Sequence, residues 1–234
     1  MPKHVIVTGT PKAEPAIAAA LAEYGSATVH EAMGRIGYAG HRIRPIQQGA
    51  SISGTAVTVS CAPGDNLMIH AAIEQAGDGD VIVVVPTTDS AFGFIGELMA
   101  TQMQERGVRG YVTSGGVRDT GELRSMGFPV WTRFVAAQGT VKDTPGSVNV
   151  PVVLGDAVVR PGDIVVADDD GVTIVPRELA AETLEATKAR AEKEAGTRRR
   201  YQAGEVSMDV NGLRPVLAQL GVEYVAWSAG VDAE

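Results

Sequence analysis

The chain is poor in several features that would by themselves decide its class. Cys61 is the only cysteine in 234 residues, so no internal disulfide can form and a reducing compartment is expected. No apolar run approaches the roughly 20 residues a membrane-spanning helix needs; the strong β-branched run at 81–85 (VIVVV) is far too short. The opening MPKHVIVTGT has neither an apolar core nor a small-residue cleavage site, so no secretory signal is expected. Positive charge is also scarce: 20 Lys and Arg face 28 Asp and Glu, a net charge of −8. That balance argues against nucleic acid as a partner. The composition therefore points to a soluble, cytoplasmic protein with no membrane partner. Apolar residues at 44% are enough for a proper core in a chain of this length, and 28 glycines suggest many tight turns between short strands.

What is present is an alternation of helix and strand signals. Residues 15–24 open on proline, are rich in alanine and leucine, and stop at Gly25, which predicts a helix. Thr28 and Glu31 have the capping-box spacing and predict a second short helix ending near Gly34. Residues 50–61 are β-branched and roughly alternating, a strand signal. Pro63-Gly64-Asp65 is a turn, with Asp65 or Asn66 placed to cap a helix over 67–75. A buried strand at 81–85, a helix at 97–105 and a short strand at 110–113 follow. Asp119 stands three residues before Glu122, a second capping-box spacing, so a helix should run to Met126 with Gly127 as its cap. Residues 128–134 read as another strand. This strand–helix–strand order implies parallel pairing in an α/β core.

Beyond Gln138 the signals become β-rich. Short strands at 148–154, 158–159, 163–167 and 172–175 are separated by Pro-Gly and Asp-Gly turns. From Pro176 the chain is charged and alanine-rich, predicting one long helix over 178–203 and a last helical piece over 210–220. The expected organisation is an α/β domain over 1–176 with a C-terminal helical extension over 177–234 that belongs to the same unit.

The segment GGVRDTGE, 115–122, is the strongest chemical signal. Two glycines at the C-terminal end of a strand let the backbone turn into a helix, and in parallel sheets ligands sit at that edge. The side chains delivered there are Arg118, which can grip a carboxylate with two parallel hydrogen bonds, and Asp119, which can hold a hard cation. The structural alternative is that Asp119 caps its helix and Arg118 pairs with Glu122. A second anion site is expected upstream, where Gly93 and Gly96 lead into a helix and free N–H groups point outward; an ordinary strand-to-helix turn is the alternative. No Gly-Lys-Ser/Thr phosphate loop or dinucleotide fingerprint occurs there, which disfavours nucleotide binding.

In combination these motifs are specific. Glu97, then twenty residues, then Arg118-Asp119 resembles the Asp-x20-Arg-Asp signature of the 4-hydroxy-4-methyl-2-oxoglutarate / 4-carboxy-4-hydroxy-2-oxoadipate aldolases. These share a superfamily with the regulator of RNase E activity proteins. The resemblance extends over TVHEAMG (28–34), PGDNLMIH (63–70), 107–120, GFPVW (127–131), AQGTVK (137–142), SVNVP (147–151) and PGDIVVADDDGVTIVP (161–176). It implies a layered fold of the swivelling β/β/α type and a trimeric or hexameric homo-oligomer. It further implies that Asp119 holds Mg²⁺ or Mn²⁺ largely through water. Arg118 would bind the pyruvyl part of the substrate, helped by backbone amides of Gly96, Glu97, Leu98 and Met99, and Glu194 of a neighbouring subunit would order water at the site. One departure stands out: the signature's first aspartate is Glu97 here, one methylene longer.

The reaction so implied is retro-aldol cleavage of a 4-hydroxy-2-oxo acid to release pyruvate, in the degradation of aromatic compounds. Oxaloacetate decarboxylation is a natural side activity, since that β-keto acid presents the same head group. A Schiff-base route would need a buried lysine of lowered pKa. Of the five lysines, Lys3, Lys12, Lys188 and Lys193 lie in the N-terminal segment or the charged helix, and Lys142 is followed directly by Asp143; the metal route is favoured. The competing class is a non-catalytic regulator that binds RNase E. Such proteins are shorter and lack most of the extension.

Other residues carry weaker signals. Asp168-Asp169-Asp170-Gly171 suggests a cation site but reads better as a hairpin turn, because its spacing is not that of an EF-hand loop. His70, four residues after Asn66, is a candidate for a distal substrate carboxylate, with a packed, hydrogen-bonded histidine as the alternative. Arg133 could reach a distal carboxylate but is better read as a surface ion pair, and Arg198-Arg199-Arg200 as a solvated face or a subunit contact.

Overall fold

A computed structural model describes residues 3–227; the last seven residues of the extension lie outside them. The chain divides into two units, Met1–Arg190 and Ala191–Glu234.

The first unit is built on a mixed sheet. Its centre is four parallel strands, β2 (Ile52–Cys61), β3 (Asp80–Pro86), β4 (Gly110–Thr113) and β6 (Val130–Thr132), in spatial order β6-β4-β3-β2. The parallel pairing expected from the alternation is therefore observed. The crossovers are α3 (Leu67–Gln75), α4 (Glu97–Glu105) and α5 (Thr120–Ser125). β1 (Arg44–Pro45) pairs with β6, and β11 (Ile164–Asp168) with β12 (Gly171–Val175) continues the sheet beyond β2, all antiparallel. β8 (Ser147–Val148) pairs with the end of β2. Two short parallel strands, β5 (Gly116–Val117) and β7 (Phe134–Val135), form a separate ladder beside the parallel edge.

Alternation along the strands sorts side chains into layers. Val57, Val59, Ile82, Val84, Tyr111 and Val130 face the helices and meet Ile69, Ile73, Met103 and Leu123. Ala56, Val81, Val83, Val112 and Trp131 face the other way, onto an antiparallel hairpin of β9 (Val152–Leu154) and β10 (Ala157–Val159). The layers are thus hairpin, sheet, helices, which is the β/β/α arrangement. A third cluster packs α1 (Pro15–Leu21), α2 (Gly25–Ala32) and the start of α6 (Ala180–Gln202) around Ile164, Val166 and Val175.

Several expected elements differ in detail. α2 begins at Gly25, three residues before Thr28, because its first turn is capped from far away: Asp168 accepts from the Ser26 N–H and hydroxyl, both at 2.6 Å. The expected strand 128–134 is interrupted at Arg133, where the N–H groups of Arg133 and Phe134 both donate to the Gly115 carbonyl. The expected strand 148–154 is likewise two strands, separated by residues 149–151, with Asn149 at φ +57°. The long C-terminal helix opens as a 3₁₀ turn, Arg177–Leu179, before α6.

In the second unit the expected helix over 210–220 is two short ones, α7 (Ser207–Val210) and α8 (Arg214–Gln219), broken at Gly212 with φ +62°. Neither has a buried residue, and Leu220, Tyr224, Val225 and Trp227 are all more than 70% exposed. Among the described residues no helix is long and apolar enough to cross a membrane.

Candidate functional site

The parallel strands end where β4 turns through Gly115 into β5, and β5 delivers Arg118 and Asp119 to the start of α5. Opposite this turn runs segment 93–96, laid against it by main-chain bonds: Phe94 N–H to the Gly116 carbonyl (2.9 Å) and Arg118 N–H to the Ile95 carbonyl (3.0 Å). A cavity of about 460 Å³ opens between them. Arg118, Asp119, Gly96, Glu97, Leu98 and Met99 all line it, so the residues singled out on chemical grounds in this unit are brought together.

The conformation of Asp119 bears on the structural alternative for the GGVRDTGE segment. It occupies the N-cap position of α5 with φ +54°, yet its side chain makes no capping bond to that helix. Its Oδ2 instead accepts from the Glu97 N–H at 3.1 Å, at the N-terminus of α4. The capping-box reading of Asp119–Glu122 is therefore wrong, and so is the Arg118–Glu122 pair: Arg118 Nε stands 3.6 Å from Asp119 Oδ2. Both side chains remain about half exposed, with guanidinium and carboxylate open to the cavity mouth. Gly96 makes the approach possible, since a Cβ there would overlap Asp119 Oδ2 and stand 3.1 Å from Arg118 Cγ.

Glu97 lies in the first turn of α4, where its Oε1 and its carbonyl both accept from the Thr101 hydroxyl. Leu98 and Met99 follow, with first-turn N–H groups that have no carbonyl partner within the helix. The helix dipole adds partial positive charge at this end. A carboxylate-bearing ligand would find here one guanidinium and a set of open N–H donors.

The far wall carries groups whose placement the sequence argument missed. Asn66, Gly139, Thr140 and Lys142 line the cavity, as does His70. Lys142, set aside in sequence because Asp143 follows it, is an exposed cavity residue. The pKa of His70 is lowered, first by partial burial and then by the Lys142 charge. Asn66 is 6% exposed; its Nδ2 donates to the Phe94 carbonyl at 2.9 Å and contacts Met99 Sδ at 3.4 Å. The sequence signals for this wall were the His70 candidate and the turn Pro63-Gly64-Asp65 before α3; Asn66, Thr140 and Lys142 were not anticipated as cavity residues.

The remaining candidates fall elsewhere. Glu194 lies on α6 in the second unit. Asp168-Asp169-Asp170 is the β11–β12 hairpin turn, and Asp169 accepts from the Gly49 N–H. Arg133 pairs with Asp89 at 2.6 Å. Arg200 pairs with Glu205.

Among the described residues no group of three or more His, Cys, Asp or Glu side chains could cage a metal. A single half-exposed carboxylate nevertheless fits a hard cation such as Mg²⁺, which keeps several of its waters and takes one or two protein oxygens. Asp119 is the residue that would hold it.

A β/β/α-layered protein with an Arg-Asp pair and a helix N-terminus at the edge of its parallel strands defines the class. The chain belongs to the RraA-like family, described as Aldolase/RraA, whose model matches residues 26–174. It is 34% identical over 178 residues to a Halalkalibacterium halodurans protein provisionally named a 4-hydroxy-4-methyl-2-oxoglutarate aldolase, covering 76% of this chain and 82% of that one. A similarly named Shewanella oneidensis protein is 32% identical over 126 residues, 54% of this chain and 76% of its own. Among solved structures, Streptomyces coelicolor RraAS2, described as an unusual member of the RNase ES inhibitor RraA family, superposes with a TM-score of 0.72 at 27% identity. It covers 81% of this chain and 100% of that one.

Proposed function

We propose that this protein is a divalent-metal-dependent aldolase that cleaves a 4-hydroxy-2-oxo di- or tricarboxylic acid and releases pyruvate. The observation that carries the reading is the Asp119 carboxylate, turned away from its own helix and held beside Arg118 at the cavity. That carboxylate meets the first N–H of α4 and stands with Arg118 at the cavity, which supports a ligand-binding role for the pair. Relatives named as 4-hydroxy-4-methyl-2-oxoglutarate aldolases support the substrate class.

In this reading Arg118 binds the carboxylate and 2-oxo oxygens of the pyruvyl end, with the N–H groups of Leu98 and Met99 beside it. Removal of the C4 hydroxyl proton breaks the C3–C4 bond. The bonding pair passes to the C2 carbonyl, giving the enolate of pyruvate, and a proton added at C3 completes the product. Arg118 stabilises the negative charge that develops on the C2 oxygen. Glu97, at the cavity mouth, takes the hydroxyl proton through water. Lys142 and His70 face the part of the substrate beyond C4, where a second carboxylate would lie. When bound at Asp119, Mg²⁺ or Mn²⁺ would supply a Lewis acid for the same oxygens. Oxaloacetate, with the same head group, would be decarboxylated as a side reaction.

We further assign Glu194 to the site of a neighbouring copy in a homo-oligomeric ring. The exposed apolar side chains of the second unit support an assembly, since no described residue of that unit covers them.

The test is pyruvate release from 4-hydroxy-4-methyl-2-oxoglutarate, coupled to lactate dehydrogenase. Exhaustive EDTA should abolish turnover, and Mg²⁺ or Mn²⁺ should restore it. Unchanged turnover in verified metal-free protein sinks the metal role, and a lysine adduct trapped by borohydride would move the chemistry to Lys142. The Streptomyces neighbour favours one second reading, binding and inhibition of an endoribonuclease. Inhibition of such an enzyme, without pyruvate release from any 4-hydroxy-2-oxo acid, would establish it.

A further inference from the structure

Asp65 is 1% exposed and does not line the cavity, yet it is bonded to two of the segments that do. Its Oδ1 accepts from the Leu67 N–H at 2.8 Å, fixing the first turn of α3. Its Oδ2 accepts from the N–H groups of Asp143 and Thr144, both at 2.7 Å. Main-chain bonds run alongside: Asn66 N–H to the Val141 carbonyl and Val141 N–H to the Gly64 carbonyl, each 3.0 Å. Between these two sets of bonds sits Lys142, and four residues into α3 sits His70. The next residue, Asn66, ties the same corner to the Phe94 carbonyl on the opposite wall.

The segment held this way has little else to hold it. Residues 136–146 join β7 to β8 without a helix or strand of their own, and 141–145 are exposed. Three N–H groups converging on one buried carboxylate form strong, charge-assisted bonds, and no cation pairs with that carboxylate among the described residues. The acceptor is specific in its chemistry. An amide at this position would offer one oxygen where three donors arrive, and would turn its NH₂ group against at least one of them.

We propose that Asp65 is a positioning residue that fixes the wall carrying Thr140 and Lys142, and thereby sets how tightly the protein holds the part of its substrate beyond the pyruvyl group. The role rests on the aldolase reading, but the clamp itself is measurable without turnover. Arg118, Asp119 and the start of α4 bind the pyruvyl end from segments Asp65 does not touch, so its loss acts on one end of the ligand.

Asp65→Asn is the test variant. Asp65→Ser is the second, because its hydroxyl still serves the Leu67 N–H but is too short to reach residues 143 and 144. Asp143→Ala, which keeps its backbone N–H, is the control. Backbone amide exchange without substrate should be at least tenfold faster at residues 143 and 144 in both Asp65 variants, with β3 unaffected and the control normal. With the full substrate, KM should rise at least tenfold while kcat stays within threefold. Exchange of pyruvate methyl protons in D₂O, which exercises only the pyruvyl end, should fall far less than kcat/KM for cleavage. Unaltered amide exchange at 143 and 144 overturns the clamp. Equal losses in proton exchange and cleavage overturn the selective role. A wild-type protein that releases no pyruvate sinks the aldolase reading, and the amide exchange still decides the clamp.

Discussion

Replacing Gly96 by alanine perturbs the site through a single methyl group. Gly96 has φ −142° and ψ −163°, an extended conformation that alanine adopts freely, so the backbone carries no penalty. The added Cβ overlaps Asp119 Oδ2 and stands 2.9 Å from its Cγ and 3.1 Å from Arg118 Cγ. Relief requires the carboxylate to move by ~1 Å, off the Glu97 N–H, and displacement of that order in a reacting group costs ~100-fold in rate. The expected loss in kcat/KM is therefore about 100-fold, or ~2.7 kcal/mol of transition-state stabilisation. Stability should fall by no more than ~2 kcal/mol, the worth of one charge-assisted hydrogen bond at a partly exposed site. Gly121→Ala is the matched control, since a Cβ there meets nothing within 4 Å. It should be neutral or slightly stabilising in α5. Circular dichroism and thermal melts establish folding, the coupled pyruvate assay gives kcat/KM, and Mn²⁺ titration reads the carboxylate directly. A folded Gly96→Ala protein with kcat/KM and Mn²⁺ affinity within threefold of wild type would refute the reasoning that the Asp119 position matters.

Arg118→Lys keeps the charge but loses the planar two-pronged grip, and should cost at least ~100-fold in kcat/KM with a normal melt; near-normal kinetics would remove Arg118 from the site. Asp119→Ala and Glu194→Ala proteins should each be nearly inactive, yet regain activity when unfolded together and refolded as mixed oligomers. A dead mixture with proven subunit exchange would confine Glu194 to its own chain or to no role. The Cys61 thiol is pushed up to about 12, first by burial and then by the Asp65 charge, partly offset by a hydrogen bond from its own backbone amide. It should resist iodoacetamide at pH 8 in the folded protein and react after unfolding, and equal rates would contradict that environment. Because the folded value lies above the ordinary 9.0, its stabilising effect is complete below pH 9 and is lost as pH rises from 9 towards 12.

The elements best read from sequence were those set by local periodicity. α3 over 67–75, α4 over 97–105 and β4 over 110–113 appear with the bounds their apolar spacing indicated. Two of the errors share a cause, in that a side chain finds its partner far along the chain. α2 starts early because Asp168, 142 residues beyond Ser26, caps it. Asp119 carries the spacing of a local cap, but its carboxylate goes to the N–H of Glu97, 22 residues back. The Arg118-Asp119 pair was legible because residue type and position at a strand end suffice to propose it. On the far wall His70 was anticipated as a candidate, but Asn66 and Lys142 were not, because that wall exists only once Asp65 has joined segments 78 residues apart.

The left-handed backbone of Asp119 has a consequence for anyone improving this protein. At φ +54° a non-glycine residue carries strain of about 1 kcal/mol, which glycine would relieve. Glycine would also lose the bond from the Glu97 N–H, worth up to ~2 kcal/mol, so the exchange returns no stability. The carboxylate around which the cavity is arranged also holds the start of α4, and a stabilised variant should be sought elsewhere in the chain.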